Sequence, residues 1–296
     1  MKILLAVTGS ISAYKSLDLT RELIKAGHQL KIILSKGAEN FVVPKVFKYL
    51  GAEEVFHSQS DFENPNVLHV NLGKWPDIFV IAPLSANSLS RICRAEASDL
   101  LTTTFLALKT DIPLIVFPAM NTQMLNHPFV QENFERLDKL KKLSNIFVHP
   151  TRSGELICKE NGEGKLPEIA LIKDFIEAYP RENEIIGENI LISTGATIAP
   201  LDPVRFLTNA ASGLTGFQIA KYALSQGRKV KVIAGKFATQ RLDHLLAHPN
   251  FSLRRVVTSS NMKTEVLSAL LDYPHYISSA AIGDFSFQSS NEKIKK

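Results

Sequence analysis

The segment from residue 118 to residue 128, PAMNTQMLNHP, carries the chemistry that is easiest to interpret. It follows the apolar run 112–117, which predicts a buried parallel strand. Such a strand delivers Asn121 to the carboxyl edge of an open α/β sheet, where these sheets bind their ligands. Asn121 offers amide donors and a carbonyl acceptor, and Pro118 and Pro128 predict a shaped loop between them. The ordinary structural alternative is that Asn121 caps a helix.

Small residues with hydroxyl or amide groups follow three further predicted strands. They occur at residues 8–12 (TGSIS), 35–36 (SK) and 85–88 (SANS). One such turn usually binds nothing, but a loop of this kind before a helix presents backbone N–H groups to a phosphate. Three of them at one sheet edge form a single crevice. Because the chain lacks a full G-x-G-x-x-G, we predict a mononucleotide cofactor.

Two residues outside these loops can move protons. His69 carries an imidazole, a group that can orient a substrate or take a proton, although a lone His among apolar neighbours is usually structural. Cys158 lies among glycines and charged residues at positions 154–165, a composition typical of a mobile flap and not of a core. The ordinary alternative for it is a buried apolar thiol. We assign Cys93, on a predicted helix at 89–94, to packing.

The second half of the chain repeats the opening pattern. Residues 189–194 predict a strand, residues 214–225 a helix and residues 229–233 a second strand. A loop from 195 to 213 separates the first strand from the helix, and loops of that length are usually functional. Its end, Ser212-Gly213, precedes a helix and lies near Arg205 and Asn209 in sequence. This arrangement favours anion binding.

Alternating strands and helices define the fold class as α/β. We predict a doubly wound, Rossmann-like three-layer domain at residues 1–180, beginning with strand 2–7, helix 13–26 and strand 30–34. A polar linker at 181–188 follows. Residues 189–296 predict a second Rossmann-like α/β domain with strands near 190, 230, 254 and 277 and a further helix at 262–271. This domain is short for a doubly wound fold, and we expect it to be incomplete.

Composition excludes several classes of protein. The chain has 296 residues and a net charge of +5, which suits anionic ligands, but no basic run with interleaved aromatics marks a nucleic-acid surface. No apolar stretch reaches the roughly 18 residues of a membrane span. Two cysteines are too few for a disulfide scaffold, which predicts a reducing, cytoplasmic setting. The histidines and cysteines show no metal-ligand spacing.

The first half resembles the flavin-dependent cysteine decarboxylases, whose pantothenate-pathway members act on 4'-phosphopantothenoylcysteine. The segment at 118–128 is similar to their P-x-M-N-x-x-M-W motif, with Leu125 in place of Trp. The resemblance covers about residues 1–180 and implies a flavoprotein-type domain that binds FMN. The FMN contacts that it implies are Gly9, Ser10, Ile11, Ser35, Lys36, Ser85, Ala86, Asn87, Ser88, Ala119 and Met120.

The same resemblance assigns roles to three residues. It implies that His69 assists the oxidation of the substrate cysteine, that Asn121 holds the substrate carboxylate or amide, and that Cys158 protonates the enethiolate left after CO2 loss. The family's flap reads G-x-L-A-C-G-x-x-G-x-G-R, and Lys159 and Lys165 replace its second Gly and its Arg. Family members form homotrimers with the flavin site at the subunit interface, which implies the same assembly here.

The second half resembles the phosphopantothenate–cysteine ligases that are fused behind these decarboxylases in most bacteria. Residues 202–216 are similar to their D-P-V-R-F-I-S-N-x-S-S-G-x-M-G motif, and residues 293–296 match K-I-K-K. The resemblance implies 4'-phosphopantothenate, cysteine and CTP with Mg²⁺ as ligands. Because family ligase domains continue beyond K-I-K-K, we expect this half to be incomplete. The ligase site that it implies comprises Asn209, Ser212, Gly213, Ser278, Ser279, Ala280, Asp284 and Lys293.

The sequence therefore predicts a bifunctional coenzyme A biosynthesis enzyme with a decarboxylase half and a ligase-like half of doubtful activity. Two alternatives stay open. One is a flavin-binding regulatory protein on the same fold, which acts without turnover. The other is a related flavin enzyme that acts on peptide cysteines or prenyl donors, against which the ligase-like half argues.

Overall fold

A computed structural model of the chain describes residues 1–58, 60, 67–140, 145–155, 161–180, 187–285, 287 and 293. The contacts divide the chain into two compact units, residues 1–173 and 174–296. The division falls within helix Ile169–Ala178. Most of the predicted linker, residues 181–186, lies outside the described residues, so the predicted boundaries stay a prediction.

The first unit is built on a six-stranded, wholly parallel sheet with the order β3-β2-β1-β4-β5-β6. The order reverses between β1 and β4, which creates a crevice at their carboxyl ends. The strands are β1 (Lys2–Val7), β2 (Gln29–Leu34), β3 (Glu54–Phe56), β4 (Ile78–Leu84), β5 (Leu114–Pro118) and β6 (Ile146–Val148). The helices that lie wholly within this unit are α1 (Lys15–Lys25), α2 (Pro44–Tyr49), α3 (Leu68–Leu72), α4 (Ala86–Cys93), α5 (Leu100–Leu106), α6 (Thr122–Leu125) and α7 (Pro128–Leu140). The helix within which the division falls is α8 (Ile169–Ala178).

Burial explains why the apolar runs became central strands. All seven residues of β4 and all five of β5 are buried, as expected for a parallel sheet covered on both faces. Leu4 and Ala6 of β1 belong to the core shared with α3, α4, α5 and α7, and Leu5 between them is buried as well. The predicted three-layer, doubly wound fold is confirmed.

A two-stranded antiparallel hairpin follows this sheet. It pairs β7 (Arg152–Glu155) with β8 (Asn161–Lys165). Residues 156–160, which include Cys158, connect the two arms along the chain and lie outside the described residues.

The second unit repeats the topology on a parallel four-stranded sheet with the order β13-β12-β9-β14. Ile190 and Ile192 of β9 pack into one core and Leu191 into another, so both faces of the sheet are covered. The elements are β9 (Ile190–Ala196), β10 (Ile198–Pro200), β11 (Phe206–Thr208), α9 (Leu214–Ser225), β12 (Val230–Gly235), a 3-10 helix (Gln240–Leu245), β13 (Phe251–Val256), α10 (Ser259–Ala269) and β14 (His275–Ala281).

Two local predictions in the second unit are wrong, the plain loop at residues 195–213 and the start of the last helix. The stretch 195–213 is not a plain loop, because β10 and β11 pair within it as an antiparallel hairpin. The last helix begins at Ser259 and not at residue 262, because Thr258 and Asn261 form a reciprocal capping box. Among the helices of the described residues, none is long and apolar enough to cross a membrane.

Candidate functional site

A cavity of about 580 Å³ opens at the carboxyl edge of the first sheet. Its walls come from the loops after β1, β4 and β5 and from the end of β8, which is the edge that the sequence predicted. The lining residues are Gly9, Ser10, Ile11, Ser12, Tyr14, Lys15, Ser85, Ala86, Asn87, Ala119, Met120, Asn121, Met124, Gly164 and Lys165.

Backbone and hydroxyl contacts hold these loops together. Thr8 is fully buried, and its hydroxyl donates to the Pro83 carbonyl oxygen at 2.8 Å while accepting the Ser85 N–H at 2.7 Å. Gly9 lies against Gly37, where a Cβ on residue 9 would come within 2.9 Å of the Gly37 Cα atom. The loops after β1 and β2 therefore approach so closely that a side chain is excluded at Gly9.

The predicted loops at residues 8–12 and 85–88 each lead into a helical turn. Ser10 caps a 3-10 helix at Ile11–Tyr14 by accepting the Ser12 N–H at 3.4 Å. Ser85 caps α4 by accepting the Ser88 N–H at 3.3 Å. The backbone N–H groups of both turns stand at the cavity edge, an arrangement that favours a phosphate.

Asn121 lies three residues after the end of β5 and directly before α6. It has extended backbone torsions and its Oδ1 accepts the Gln123 N–H at 2.8 Å, so it caps the short helix α6. The segment 118–128 is thus not entirely a loop, and the structural alternative for Asn121 is correct as far as its carbonyl is concerned. Asn121 also lines the cavity.

The β7–β8 hairpin packs against this segment through its second arm. The Met120 N–H donates to the Gly164 carbonyl oxygen at 3.1 Å, and the Thr122 hydroxyl donates to the Glu163 carbonyl oxygen at 2.6 Å. Gly164 has φ +113°, a conformation that side chains rarely adopt. The hairpin on which the sequence places Cys158 therefore borders the cavity, while Cys158 itself lies outside the described residues.

Four predicted site residues do not line this cavity. His69 is half-buried on α3. Ser35 is buried after β2 and accepts the Ala38 N–H at 3.3 Å, and Lys36 follows it. Ser88 is buried on α4. Their predicted roles stay predictions.

The cavity lining carries positive charge and no carboxylate. Its charged members are Lys15 and Lys165, both half-buried, and neither has a carboxylate partner within 4 Å among the described residues. An anionic ligand would compensate this charge. Sequence reasoning did not include Tyr14 and Lys15 in the site, because it ended the loop at Ser12 and placed both residues in the following helix.

Cys93 has none of the properties of a reactive thiol. It is half-buried against the core, its Sγ lies 3.3 Å from the Asn133 carbonyl oxygen, and burial raises its pKa to about 11. Its assignment to packing is confirmed. The described residues contain no group of three or more His, Cys, Asp or Glu side chains arranged to hold a metal ion.

In the second unit, several residues of the predicted ligase site meet at the carboxyl edge of its sheet. Gly213 has φ +75° and its carbonyl oxygen accepts the Thr194 hydroxyl at 3.2 Å. The Asn209 side-chain amide donates to the Ala281 carbonyl oxygen at 3.3 Å, and the Ser279 hydroxyl to that of Ser193 at 2.8 Å.

The other predicted ligase residues occupy varied positions. Ser212 stands just before α9, and Ser278 and Ala280 lie on β14 beside the first strand of this sheet. Asp284 and Lys293 are exposed. The Arg205 guanidinium is bound by the Asp202 carboxylate, with Nε at 2.9 Å, which fixes the turn of the β10–β11 hairpin.

Comparison with known proteins identifies the class. The family model "Flavoprotein" matches residues 1–179, and the model "DNA/pantothenate metabolism flavoprotein C-terminal domain" matches residues 185–296. The chain is 32% identical to the coenzyme A biosynthesis bifunctional protein CoaBC of Vibrio parahaemolyticus, over all of this chain and 71% of that protein. Against CoaBC of Bacillus subtilis it is 33% identical over 99% of this chain and 71% of that protein. The chain therefore belongs to the CoaBC family of coenzyme A biosynthesis bifunctional proteins.

Experimental structures resemble the first unit. A cysteine-to-serine mutant of PPC decarboxylase complexed with pantothenoylaminoethenethiol is 31% identical, with a TM-score of 0.53 over 59% of this chain and 95% of that one. The FMN-binding protein AtHal3 is also 31% identical, with a TM-score of 0.52 over 59% of this chain and 94% of that one.

Proposed function

We propose that this chain decarboxylates 4'-phosphopantothenoylcysteine to 4'-phosphopantetheine with FMN as cofactor, as a cytoplasmic enzyme of coenzyme A biosynthesis. The observation that carries the proposal is the cavity at the carboxyl edge of the first sheet, which brings Asn121 together with two phosphate-compatible turns in a chain of the CoaBC family. The two cationic side chains in its lining suit a phosphorylated cofactor and a phosphorylated substrate.

The residues of the cavity fit FMN. Gly9 leaves room for close backbone approach, and the capped turns at Ser10 and Ser85 offer N–H groups to a phosphate. We assign the cofactor to these turns together with Asn87, Ala119 and Met120. FMN, when bound, supplies reversible hydride transfer, which a protein side chain cannot provide.

The chain's own residues orient the substrate and place protons. Asn121 uses its carbonyl to cap α6, so its amide N–H group is the part assigned to the substrate carboxylate or amide. We assign Cys158 as the proton donor in the final reduction, and His69 as the residue that assists the initial oxidation. If His69→Asn retains full CO2 release, His69 has no part in the reaction.

We propose a homo-oligomer, a trimer through the first unit, in which a neighbouring subunit completes the site. The support is that His69 does not line the cavity of its own chain. The His69 of a neighbouring subunit would then reach this cavity. His69 and Cys158 would therefore act on the same substrate only in the assembled oligomer.

We assign a second activity, CTP-dependent phosphopantothenate–cysteine ligation with Mg²⁺, to the second unit. Its support is the meeting of Asn209, Gly213 and Ser279 at one sheet edge and the match to the pantothenate-metabolism domain model. The chain spans about 71% of the relatives' length, so we test this activity separately from the decarboxylase.

The test is to assay the purified full chain with FMN and 4'-phosphopantothenoylcysteine. We expect a yellow protein that releases CO2. Yellow protein without CO2 release favours a flavin-binding regulatory protein. CO2 release from a carboxyl-terminal peptide cysteine, but not from the phosphorylated substrate, favours a peptidyl-cysteine decarboxylase. A parallel assay with 4'-phosphopantothenate, cysteine, CTP and Mg²⁺ tests the second unit.

A further inference from the structure

His149 is a buried histidine at the carboxyl edge of the first sheet that the proposed reaction does not use. It directly follows β6, and its backbone N–H donates to the Val116 carbonyl oxygen of β5 at 2.9 Å. The side chain is about 5% exposed, and its ring stacks on Phe117 with centroids 5.0 Å apart. The imidazole therefore packs beside the strand that leads into the Asn121 segment.

The His149 ring also contacts the chain that follows it. Its Nδ1 lies 2.8 Å from the Pro150 carbonyl oxygen. Because a carbonyl oxygen can only accept, Nδ1 carries the ring proton. Burial lowers the pKa of His149 to about 4, against the opposing effect of the Pro150 hydrogen bond and with a smaller lowering by Arg152. The ring is therefore neutral near pH 7 and keeps this single donor.

This hydrogen bond fixes the entry to the hairpin. Pro150 stands two residues before β7 begins, and Arg152 of β7 is paired in register with Lys165 of β8. Gly164 and Lys165 of β8 form part of the cavity wall, and the Gly164 carbonyl oxygen accepts the Met120 N–H. The direction of the backbone at Pro150 therefore affects the position of β8, and with it the position of the cavity wall at Gly164 and Lys165.

We propose that His149 is a positioning residue, which sets the β7–β8 hairpin against the substrate cavity through its Nδ1–H bond to the Pro150 carbonyl oxygen. The inference rests on the proposed function, because it assigns the wall at Gly164 and Lys165 to substrate binding. It does not require His149 to touch the substrate or to titrate during the reaction.

Two substitutions separate the hydrogen bond from the ring stack. Phe at position 149 keeps an aromatic ring against Phe117 but has no donor, whereas Asn keeps an amide N–H close to the position of Nδ1 but has no ring. We expect His149→Phe to raise the KM for 4'-phosphopantothenoylcysteine about fivefold, the effect of one lost hydrogen bond. We expect FMN affinity to be unchanged, because the FMN contacts assigned above lie on the loops after β1, β4 and β5 and not on the hairpin. His149→Asn should retain the wild-type KM.

The readout is the KM of each purified full-length variant, with FMN affinity measured alongside. A wild-type KM in His149→Phe overturns the proposal. An equal rise in both variants, or an equal loss of folded protein, also overturns it, because the donor is then not the property that matters. Absence of CO2 release from the wild-type chain instead refutes the proposed function, and the substrate role of the wall with it.

Discussion

Gly164 lies so close to Met120 that a Cβ atom on residue 164 would overlap the Met120 carbonyl oxygen. The two residues are also joined by the hydrogen bond from the Met120 N–H to the Gly164 carbonyl oxygen, at 3.1 Å. The hairpin and the loop that carries Asn121 therefore meet backbone to backbone, and glycine is the residue that permits this approach.

We expect Gly164→Ala to displace the hairpin and to reduce decarboxylation. The new Cβ would overlap the Met120 carbonyl oxygen, and residue 164 has φ +113°, which side chains rarely adopt. We expect these two effects together to lower the unfolding free energy by about 3 kcal/mol. Gly27→Ala is the matched control, because Gly27 has φ +83° and nothing within 4 Å of its Cβ position. It should lose about 1 kcal/mol and keep full activity. Equal stability and activity in both variants would contradict the tight contact.

Asn121→Asp separates the capping role of this side chain from its role toward the substrate. Aspartate keeps the oxygen that accepts the Gln123 N–H, so folding and FMN binding should be unchanged. It removes the amide donors and places a negative charge beside the substrate, so we expect CO2 release to fall at least about tenfold. Thermal unfolding and CO2 release are measured together. Full activity in this variant would mean that Asn121 acts only as a helix cap.

Cys158→Ser tests the assignment of the proton donor. We expect CO2 release to continue and the yield of 4'-phosphopantetheine to fall, because serine is a far weaker acid than cysteine. Product analysis by mass spectrometry distinguishes the unreduced from the reduced product. Cys93→Ser is the control and should give the wild-type ratio, because Cys93 packs against the core away from the cavity.

Asp174 anchors the second unit through buried charge. Its side chain is fully buried, and it accepts hydrogen bonds from Arg241 Nε at 3.0 Å and His244 Nδ1 at 2.7 Å. Burial acts to raise the pKa of Asp174, but these hydrogen bonds and the nearby Lys221 outweigh it, so the pKa lies below its ordinary value.

We expect Asp174→Asn to cost about 3 kcal/mol of unfolding free energy, because it removes the buried carboxylate that binds Arg241 and His244. The half-exposed pair Arg255–Asp243 provides the control, and Asp243→Asn should cost less than about 1 kcal/mol. Far-UV circular dichroism during chemical denaturation of the full chain measures both losses, and FMN fluorescence reports separately on the first unit. Similar losses in the two variants would contradict the anchoring role of Asp174.

We expect His248 to make the unfolding free energy depend on pH. It is buried beside Phe175 and Tyr179, and burial lowers its pKa from 6.5 to about 4. Between pH 6.5 and 4 the unfolded chain binds a proton here that the folded chain does not. The contribution is therefore complete above pH 6.5 and is lost as the pH falls, by about 3 kcal/mol in total.

The expected result is a steeper loss of stability on acidification in the wild type than in His248→Phe. Denaturant midpoints at pH 7.5 and pH 5 measure this difference. His149 has the same sign and pH window, so a residual dependence should remain in the variant. An identical pH dependence in both proteins would show that His248 does not carry the effect.

The sheets were predictable from sequence because their central strands are continuous apolar runs. The β4 strand, from Ile78 to Leu84, is buried at every position and reads as a strand without tertiary information. The turn of the β10–β11 hairpin was not predictable, since it depends on the Asp202 carboxylate binding Arg205 and the N–H groups of residues 204 and 205. A composition rich in turn residues indicates a loop whether or not short strands pair within it.

The site residues that follow the carboxyl end of a strand were predictable from sequence. Gly9, Ser85 and Asn121 line one cavity because parallel strands end at a common edge. Lys15 was missed because its role follows from the three-dimensional course of the turn at Ile11–Tyr14, which brings the start of α1 back to that edge. His69 was assigned from resemblance, and spacing along the chain cannot tell whether an imidazole faces its own cavity or a neighbour's.

The proposed function requires that the cavity at the carboxyl edge of the first sheet bind FMN and turn over 4'-phosphopantothenoylcysteine. The most direct measurement is the yield of CO2 and of 4'-phosphopantetheine from the purified chain with FMN. We expect equal molar amounts of both products, and no CO2 when FMN is removed. A chain that binds no FMN, or that binds it and releases no CO2 from this substrate, would contradict the proposed function.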